Sequence, residues 1–206
     1  MLGKSISKNS FILGFFAVIT AGILAATFLS TKDKIAEEER RAAQKALLEI
    51  VPRDQHDNDM LNSTWAIPEK DWPTLGLSEA SFVHIATMNN EPVAVILPST
   101  APDGYSGAIK LIIGIKMDGS IAGVRALVHK ETPGLGDKVD VKKHDWILSF
   151  NGKSLREPTL ENWAVKKDGG EFDQFTGATI TPRAVVQRVK KTLQYFEENK
   201  HNIIEN

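Results

Sequence analysis

An uninterrupted uncharged segment near the amino terminus constrains this chain most. Residues 11–29, FILGFFAVITAGILAATFL, contain no charged side chain, and about 20 such residues suffice to cross the ~30 Å hydrocarbon core of a bilayer. The apolar region of a cleavable signal peptide usually has about 7 to 15 residues, which is shorter than this segment. The sequence therefore predicts a retained membrane helix.

The charges that flank this segment give its orientation only ambiguously. Cytoplasmic flanks of membrane helices are enriched in Lys and Arg, whereas acidic residues have little influence. The terminal amine, Lys4 and Lys8 precede the segment, and the positive residues that follow it are Lys32, Lys34, Arg40, Arg41 and Lys45. The charge count alone therefore slightly favours a cytoplasmic location for the residues that follow the segment.

Composition limits the chemistry of the remaining chain. The sequence has no cysteine, which excludes disulfides, thiolate zinc sites, iron–sulfur clusters and thioether-linked haem. Its five histidines are scattered, without the i, i+4 spacing of a helical metal site, so we predict no metal. With 25 basic and 26 acidic residues, the chain has no overall field that would attract nucleic acid. Redox chemistry would therefore require an organic cofactor.

A second helical pattern follows the membrane segment. Residues 33–51 are rich in Ala, Glu, Arg and Leu, contain no glycine, and are followed by Pro52. This pattern predicts a helix that leaves the membrane and ends before the proline. The polar run 53–60, RDQHDNDM, then predicts a solvated connection.

Two short apolar runs predict a first β-hairpin. Residues 82–88 and 92–97 are rich in β-forming residues. Asn89 and Asn90 lie between them, and asparagine tolerates the backbone conformations of tight turns. We therefore expect two antiparallel strands.

A stricter alternation predicts a second hairpin. Residues 109–117 place apolar side chains on one side of a strand, namely Ile109, Leu111, Ile113, Ile115 and Met117. Asp118 and Gly119 form a favoured two-residue turn, and residues 121–128 would be the return strand.

The carboxyl-terminal region predicts an amphipathic helix. Thr181 is a plausible N-cap, and Pro182 suits the first helical position. The apolar stripe consists of Val186, Val189, Leu193 and Phe196, and the residues expected to face water are Gln187, Arg188, Lys190, Lys191 and Gln194. The predicted fold class is α+β, with a membrane helix, antiparallel hairpins and a packed terminal helix.

The segment HKETPGLGDKV, residues 129–139, is the first candidate for function. Its glycines and proline would also suit an ordinary turn. The combination favours a binding loop, because glycines on both sides of Leu135 let the backbone approach a flat ligand and polar side chains lie beside them. The candidate ligand-lining residues are Glu131, Thr132, Gly134, Leu135 and Gly136.

The segment DQFTGATITPRAVV, residues 173–186, is the second candidate. It can be explained as a strand end, a glycine turn and a capped helix. Thr179, however, would lie just before the amino terminus of that helix, where free N–H groups and the helix dipole favour a phosphate. The position therefore predicts a phosphate-bearing ligand at Thr179.

The run D-Q-F-T-G-A-T, residues 173–179, has the form Asp-x-x-(Ser/Thr)-Gly-Ala-Thr and resembles the flavin attachment signal of FMN-binding domains. GYSGAI at 104–109, the second hairpin and HKETPGLGDK at 129–138 resemble other parts of the same domain. The single anchor and the short body resemble the G subunits of Rnf-type electron transport complexes, also called Rsx complexes.

This resemblance implies a covalent cofactor. A magnesium-dependent flavin transferase that uses FAD as donor would attach FMN to the Thr179 hydroxyl through a phosphoester bond. Thr176, Gly177 and Ala178 would shape the approach of the phosphate, and the transferase would recognise Asp173. The residues that would line the isoalloxazine ring or the ribityl chain are Glu131, Thr132, Gly134, Leu135 and Gly136.

The same resemblance implies an electron-transfer protein that is not catalytic alone. It would serve a redox-driven ion translocase of the ferredoxin and NAD type in the bacterial inner membrane, with the other proteins of the complex and membrane lipid as partners. The expected parts are a cytoplasmic tip and anchor at 1–31, a helical connector at 32–80 and a periplasmic FMN-binding domain at 81–206.

Three alternatives remain open at this stage. The C subunit of sodium-pumping NADH:quinone reductase shares both motifs. A membrane-anchored module could bind a soluble ligand without covalent flavin. A hydrolase with a threonine nucleophile is a third possibility, although no evident base lies near the TGAT run.

Overall fold

The structure is a computed structural model that describes residues 2–204, with side chains for residues 9–38 and 40–204. The chain forms two compact units, one extending to Ala43 and one starting at Gln44. Helix α1, Leu2–Leu48, contains the whole uncharged segment and most of the helix predicted at 33–51, but it ends three residues earlier than predicted. Within the described residues it is the one helix long and apolar enough to span a membrane. The side chains of Lys4 and Lys8, used in the charge count, lie outside the described ones.

The second unit contains a five-stranded antiparallel sheet in the order β1-β2-β3-β4-β5. The strands are β1 (Thr64–Ala66), β2 (Phe82–Met88), β3 (Glu91–Ala101), β4 (Ile109–Lys116) and β5 (Ile121–Val128). Two further α-helices are α2 (Trp72–Leu75) and α3 (Ile180–Ile204). Short 3-10 helices cover Arg53–Gln55, Glu69–Asp71, Gly136–Val139, Asp145–Phe150, Leu160–Asn162 and Lys166–Asp168. This arrangement confirms the α+β fold class.

Both predicted hairpins are present, but the second turn differs from the prediction. Asn89 and Asn90 have φ values of 54° and 66°, as a two-residue type I′ turn requires. In the second hairpin the Lys116 N–H donates to the Ser120 carbonyl at 2.8 Å, so the loop has one residue more than the predicted Asp118–Gly119 turn. Gly119 adopts φ 85°, the left-handed conformation that closes such three-residue loops.

Successive side chains of a strand point to opposite sides of a sheet. Both faces of this sheet are covered by apolar residues of other elements. On one face, the predicted stripe of α3 packs with the apolar side chains of β3, β4 and β5 in the main core. On the other face, Leu47, Ile50 and Val51 form a smaller cluster with Ala94 and Ile112. His56 and Met60 are also buried, so the predicted solvated connection at 53–60 is partly interior.

Helix α3 departs from the prediction at two places. It begins at Ile180, so Thr181 and Pro182 lie in its first turn rather than at the N-cap and first position. Arg188 is buried instead of facing water, because α2 packs against that side of α3 and the Arg188 guanidinium donates to the Thr74 carbonyl at 2.7 Å.

Candidate functional site

The two segments singled out in the sequence meet at one cavity of about 410 Å³. Ligand pockets in proteins commonly measure about 300 to 1,000 Å³, so the cavity can hold much of a flavin. One side, the attachment wall, comprises residues 175–181, and the other, the loop wall, comprises residues 131–136. The lining residues predicted from the sequence are Glu131, Thr132, Leu135, Gly136, Gly177, Ala178 and Thr179.

The attachment wall starts with a tight turn over residues 175–178. The Ala178 N–H donates to the Phe175 carbonyl at 3.1 Å, and Gly177 has φ 83° at the third position of the turn. A positive φ at this position is required by a type II turn and favours glycine. The sequence T-G-A therefore presents the next residue, Thr179, at the cavity.

Thr179 is the residue immediately before α3, and its carbonyl accepts the Arg183 N–H at 3.4 Å. Within the described part of the chain, its side-chain hydroxyl has no hydrogen-bond partner. The N–H groups of Ile180 and Thr181 are likewise without acceptors among the described residues, as expected in the first turn of a helix. The three residues that carry the hydroxyl and the two free N–H groups all line the same cavity, an arrangement that suits a phosphate ester.

Aromatic packing holds the attachment wall in place. The Phe175 ring contacts the Trp146 ring edge-on, with centroids 4.9 Å apart. The Trp146 indole N–H also donates to the Asp173 carbonyl at 2.7 Å. Trp146 in turn packs on Phe150, so the turn rests on the buried aromatic cluster rather than on solvent-exposed loops.

The loop wall is folded on itself by hydrogen bonds. The Thr132 carbonyl accepts the N–H groups of Leu135 and Gly136, both at 3.1 Å, and that of Asp137 at 3.3 Å. Gly134 has φ 76° and its α-carbon faces open space, whereas Gly136 lies against the Glu131 carboxylate. The loop therefore leaves the Leu135 side chain partly exposed at the cavity.

Glu131 is the buried polar group of this wall. Only 4% of its surface is exposed, and both carboxylate oxygens accept hydrogen bonds from the protein. The Ser106 N–H donates to Oε1 at 3.0 Å, and the Thr181 hydroxyl donates to Oε2.

Three predicted residues do not line the cavity. Gly134 and Thr176 are exposed beside it, and Asp173 lies on the surface with its carboxylate 2.6 Å from the Lys166 ammonium. The cavity also includes three residues that the sequence prediction missed: Tyr105, Ile180 and Thr181. Tyr105 belongs to the GYSGAI run, so the motif itself carried a signal for it.

The charges near the start of α3 are largely compensated. Arg183 makes two hydrogen bonds to the Asp168 carboxylate, at 2.6 and 2.7 Å. The hydrogen bond from Arg183 lowers the pKa of Asp168, and the same bond raises the pKa of Arg183. Because this ion pair is partly exposed and its two charges compensate each other, the main electrostatic attraction for a phosphate comes from the helix terminus.

Family comparisons agree with this geometry. The model of the FMN-binding domain matches residues 104–194, a range that contains both cavity walls and Tyr105. The model of the RnfG N-terminal region matches residues 1–50, which contain all of α1.

The G subunits of several ion-translocating oxidoreductase complexes are similar to the chain over almost its whole length. That of Vibrio atlanticus is 46% identical over 201 residues, which cover 98% of this chain and 95% of the relative. That of Pseudomonas aeruginosa is 45% identical over 201 residues, or 98% and 93% of the two chains. That of Shewanella amazonensis is 48% identical over 197 residues, or 96% and 91%.

Proposed function

This chain belongs to the family of G subunits of ion-translocating oxidoreductase complexes, and we propose that Thr179 carries its FMN through a phosphoester bond. Membership makes the chain an electron-transfer component of a membrane complex, with one membrane helix and an FMN-binding domain. It also decides against the C subunit of the sodium-pumping reductase. The observation that carries the proposal is the unpartnered Thr179 hydroxyl beside free helix N–H groups, among the described residues, in a cavity of about 410 Å³.

The attachment reaction needs a separate transferase and FAD. The Thr179 oxygen would attack the phosphorus on the flavin side of the FAD pyrophosphate. A new oxygen–phosphorus bond forms, the pyrophosphate bond breaks, AMP leaves, and the hydroxyl proton is lost. Thr179 is the acceptor in this reaction and not a catalyst.

The attachment wall suits the product of that reaction. A phosphodiester keeps one negative charge, which the N–H groups of Ile180 and Thr181 and the helix dipole would stabilise. Gly177 and Ala178 keep the turn narrow beside it, so the linkage can lie close to the backbone. Asp173, exposed at the start of the signal, remains available for recognition by the transferase.

Three side chains from different parts of the cavity lining suit the flavin ring. Tyr105, Leu135 and Ile180 offer exposed aromatic and apolar surface at the cavity. Flat rings pack favourably on such surfaces. Bound flavin supplies one- and two-electron chemistry, and the protein orients it and adjusts its potential.

The position in the cell is part of the proposal, and family membership supports it. We place the body on the periplasmic side of the bacterial inner membrane, where a covalent bond would prevent loss of the cofactor. Electron transfer of the ferredoxin and NAD type would then be coupled to ion movement by the whole complex. The continuous helix Leu2–Leu48 supports retention of the anchor.

The test is to produce the wild type and Thr179→Val with the transferase and run denaturing gels. Valine keeps the branched shape and removes only the hydroxyl. We expect flavin fluorescence in the wild-type band, with the adduct mapped to Thr179 by mass spectrometry, and none in the variant. Fluorescence that persists in the variant, or an adduct at Thr176 or Thr181, would refute the assignment. A wild type without fluorescence would favour the binding module without covalent flavin.

Orientation and anchoring need separate experiments. Alkaline phosphatase fused after Asn206, which lies outside the described residues, should be active if the body is periplasmic. An active cytoplasmic reporter at the same junction would reverse the orientation. Amino-terminal sequencing of membrane-extracted protein should recover the uncleaved start, and a mature chain that begins near Thr31 would rule out the anchor.

A further inference from the structure

The loop between β3 and β4, residues 102–108, presents Tyr105 at the cavity. The Tyr105 side chain is 72% exposed, so little packing fixes its position. Gly107 in the same loop has φ 118°, a conformation open mainly to glycine. The hydrogen bond from the Ser106 N–H to Glu131 Oε1, 3.0 Å long, connects this loop to the rest of the cavity.

The Glu131 carboxylate joins three separate elements. Its second oxygen accepts the Thr181 hydroxyl in the first turn of α3, two residues beyond Thr179. Glycines enclose it on two sides, because a Cβ on Gly104 would lie 3.0 Å from Oε1 and one on Gly136 would lie 2.7 Å from Oε2. The Glu131 carboxylate therefore lies in a space that side chains at Gly104 and Gly136 would fill.

We propose that Glu131 is a positioning residue that acts through Tyr105 and does not bind the flavin with its own carboxylate. This inference rests on the proposed function and deepens it. Both oxygens are occupied by protein donors, and the residue is almost fully buried. The carboxylate holds the Tyr105 loop at a fixed place relative to the helix turn that follows Thr179.

A second contact that positions the ring is needed because the covalent bond fixes only one end of the cofactor. The ribityl chain has several rotatable bonds, so a phosphoester at Thr179 leaves the ring free to move. Electron transfer to a partner requires a defined ring position, and preorganised walls provide it. We expect the Tyr105 side chain to provide one surface that contacts the ring, and Glu131 to hold the loop that carries Tyr105 in position.

The test uses the full-length chain, flavinylated in cells and extracted with detergent. The variants are Glu131→Ala, Glu131→Gln, Tyr105→Leu and the double variant Glu131→Ala with Tyr105→Leu. Glu79→Ala is the matched control, because Glu79 is an exposed glutamate paired with Lys110. The readouts are iodide quenching and anisotropy of the covalent flavin fluorescence, and tryptophan fluorescence checks that each body is folded.

We expect Glu131→Ala to raise the iodide quenching constant at least about twofold and to lower the anisotropy, because the loop loses its anchoring acceptor. Glutamine can still accept the Ser106 N–H and can donate to the Thr181 hydroxyl, so Glu131→Gln should behave like the wild type. In the double variant, loss of Glu131 should add nothing to the effect of Tyr105→Leu.

Three results would overturn the inference. The first is a Glu131→Ala variant whose quenching and anisotropy equal those of the wild type and of Glu79→Ala. The second is full additivity of the effects of Glu131→Ala and Tyr105→Leu in the double variant, and the third is a Glu131→Gln variant with quenching as high as that of Glu131→Ala. If Glu131→Ala does not fold, Ser106→Pro removes the N–H from the loop side and should give the same increase in quenching; an unchanged quenching constant would contradict us. A wild type without covalent flavin would refute the proposed function itself, whereas the three results above refute this inference alone.

Discussion

The polar groups of the two cavity walls differ in whether they have hydrogen-bond partners. On the attachment wall, the Thr179 hydroxyl and the N–H groups of Ile180 and Thr181 have no partner among the described residues. On the loop wall, both oxygens of the Glu131 carboxylate and the Thr132 carbonyl accept hydrogen bonds from donors of the protein itself. The attachment wall keeps these three groups available, whereas the Thr181 hydroxyl and the polar groups of the loop wall hold the shape of the cavity.

The proposed attachment of FMN at Thr179 would explain this difference. Unpaired polar groups cost stability when they are shielded from water, so a protein keeps few of them and places them where a ligand binds. The groups that support such a site are instead saturated by hydrogen bonds and packing, which fixes the geometry. The proposed role of the Thr179 hydroxyl as the attachment point requires that no hydrogen bond from the described residues occupies it.

Two threonines, Thr179 and Thr181, give the largest expected contrast. Thr179→Val should abolish covalent flavin without affecting folding. Thr181→Val should keep the flavin but lower the free energy of unfolding by about 2–3 kcal/mol, because Glu131 Oε2 loses its donor in a buried place. Urea unfolding in detergent, followed by tryptophan fluorescence, and in-gel flavin fluorescence measure both effects. A Thr181→Val variant that loses its flavin would remove the distinction between the two threonines.

Gly136→Ala should disturb the loop wall next most strongly. The new methyl group would lie 2.7 Å from Glu131 Oε2 and 2.9 Å from the Thr181 hydroxyl oxygen. Overpacking of this kind costs about 1–3 kcal/mol, and we expect a loss in the upper part of that range. The same urea titration measures it. A neutral Gly136→Ala would mean that the hydrogen-bonded cluster around Glu131 is not rigid.

Gly177→Ala and Gly134→Ala compare a turn on each wall. Both glycines have positive φ, 83° and 76°, so alanine should cost about 1 kcal/mol or somewhat more at either position. At Gly177 the Cβ would also lie 3.2 Å from Leu135 Cδ2, whereas Gly134 faces open space. We therefore expect Gly177→Ala to be the more destabilising and to lower the yield of flavinylation, while Gly134→Ala leaves that yield unchanged. Equal flavin yields in the two variants would argue against a special role of the turn.

Asp173→Ala should have the smallest effect on stability and a selective effect on attachment. The ion pair with Lys166 is exposed, so its loss should cost less than about 1 kcal/mol. Lys166→Ala breaks the same pair but keeps the carboxylate, which makes it the control. We expect flavin fluorescence per protein to fall in Asp173→Ala, and also in Thr176→Ala, but not in Lys166→Ala. A fall in the lysine variant would show that the ion pair, rather than Asp173 itself, matters.

Local patterns in the sequence predicted much of this protein correctly. The uncharged run of α1, the Asn89–Asn90 turn and the boundaries of β2 and β5 agree with the structure. These features depend on the period of apolar residues and on turn chemistry, which act over a few neighbouring residues. The proposed attachment signal is local as well, since its turn and the start of α3 lie within residues 173–180, but its role in flavin attachment stays a prediction.

Tertiary contacts decided the remaining features. Arg188 has the spacing of a water-facing residue, but α2 covers it after the chain has folded. The sequence position of Thr181 predicts a helix cap, but its hydroxyl donates a hydrogen bond to Glu131, 50 residues away in sequence. The Ser106 N–H, 25 residues from Glu131, donates to the same carboxylate. Sequence periodicity carries no information about pairings over such separations, because only the packing of β5, the loop wall and α3 brings these groups within hydrogen-bond distance. The sequence thus determined the turn and helix start that contain the proposed attachment residue Thr179, and the tertiary structure decided which side chains hold the cavity around it.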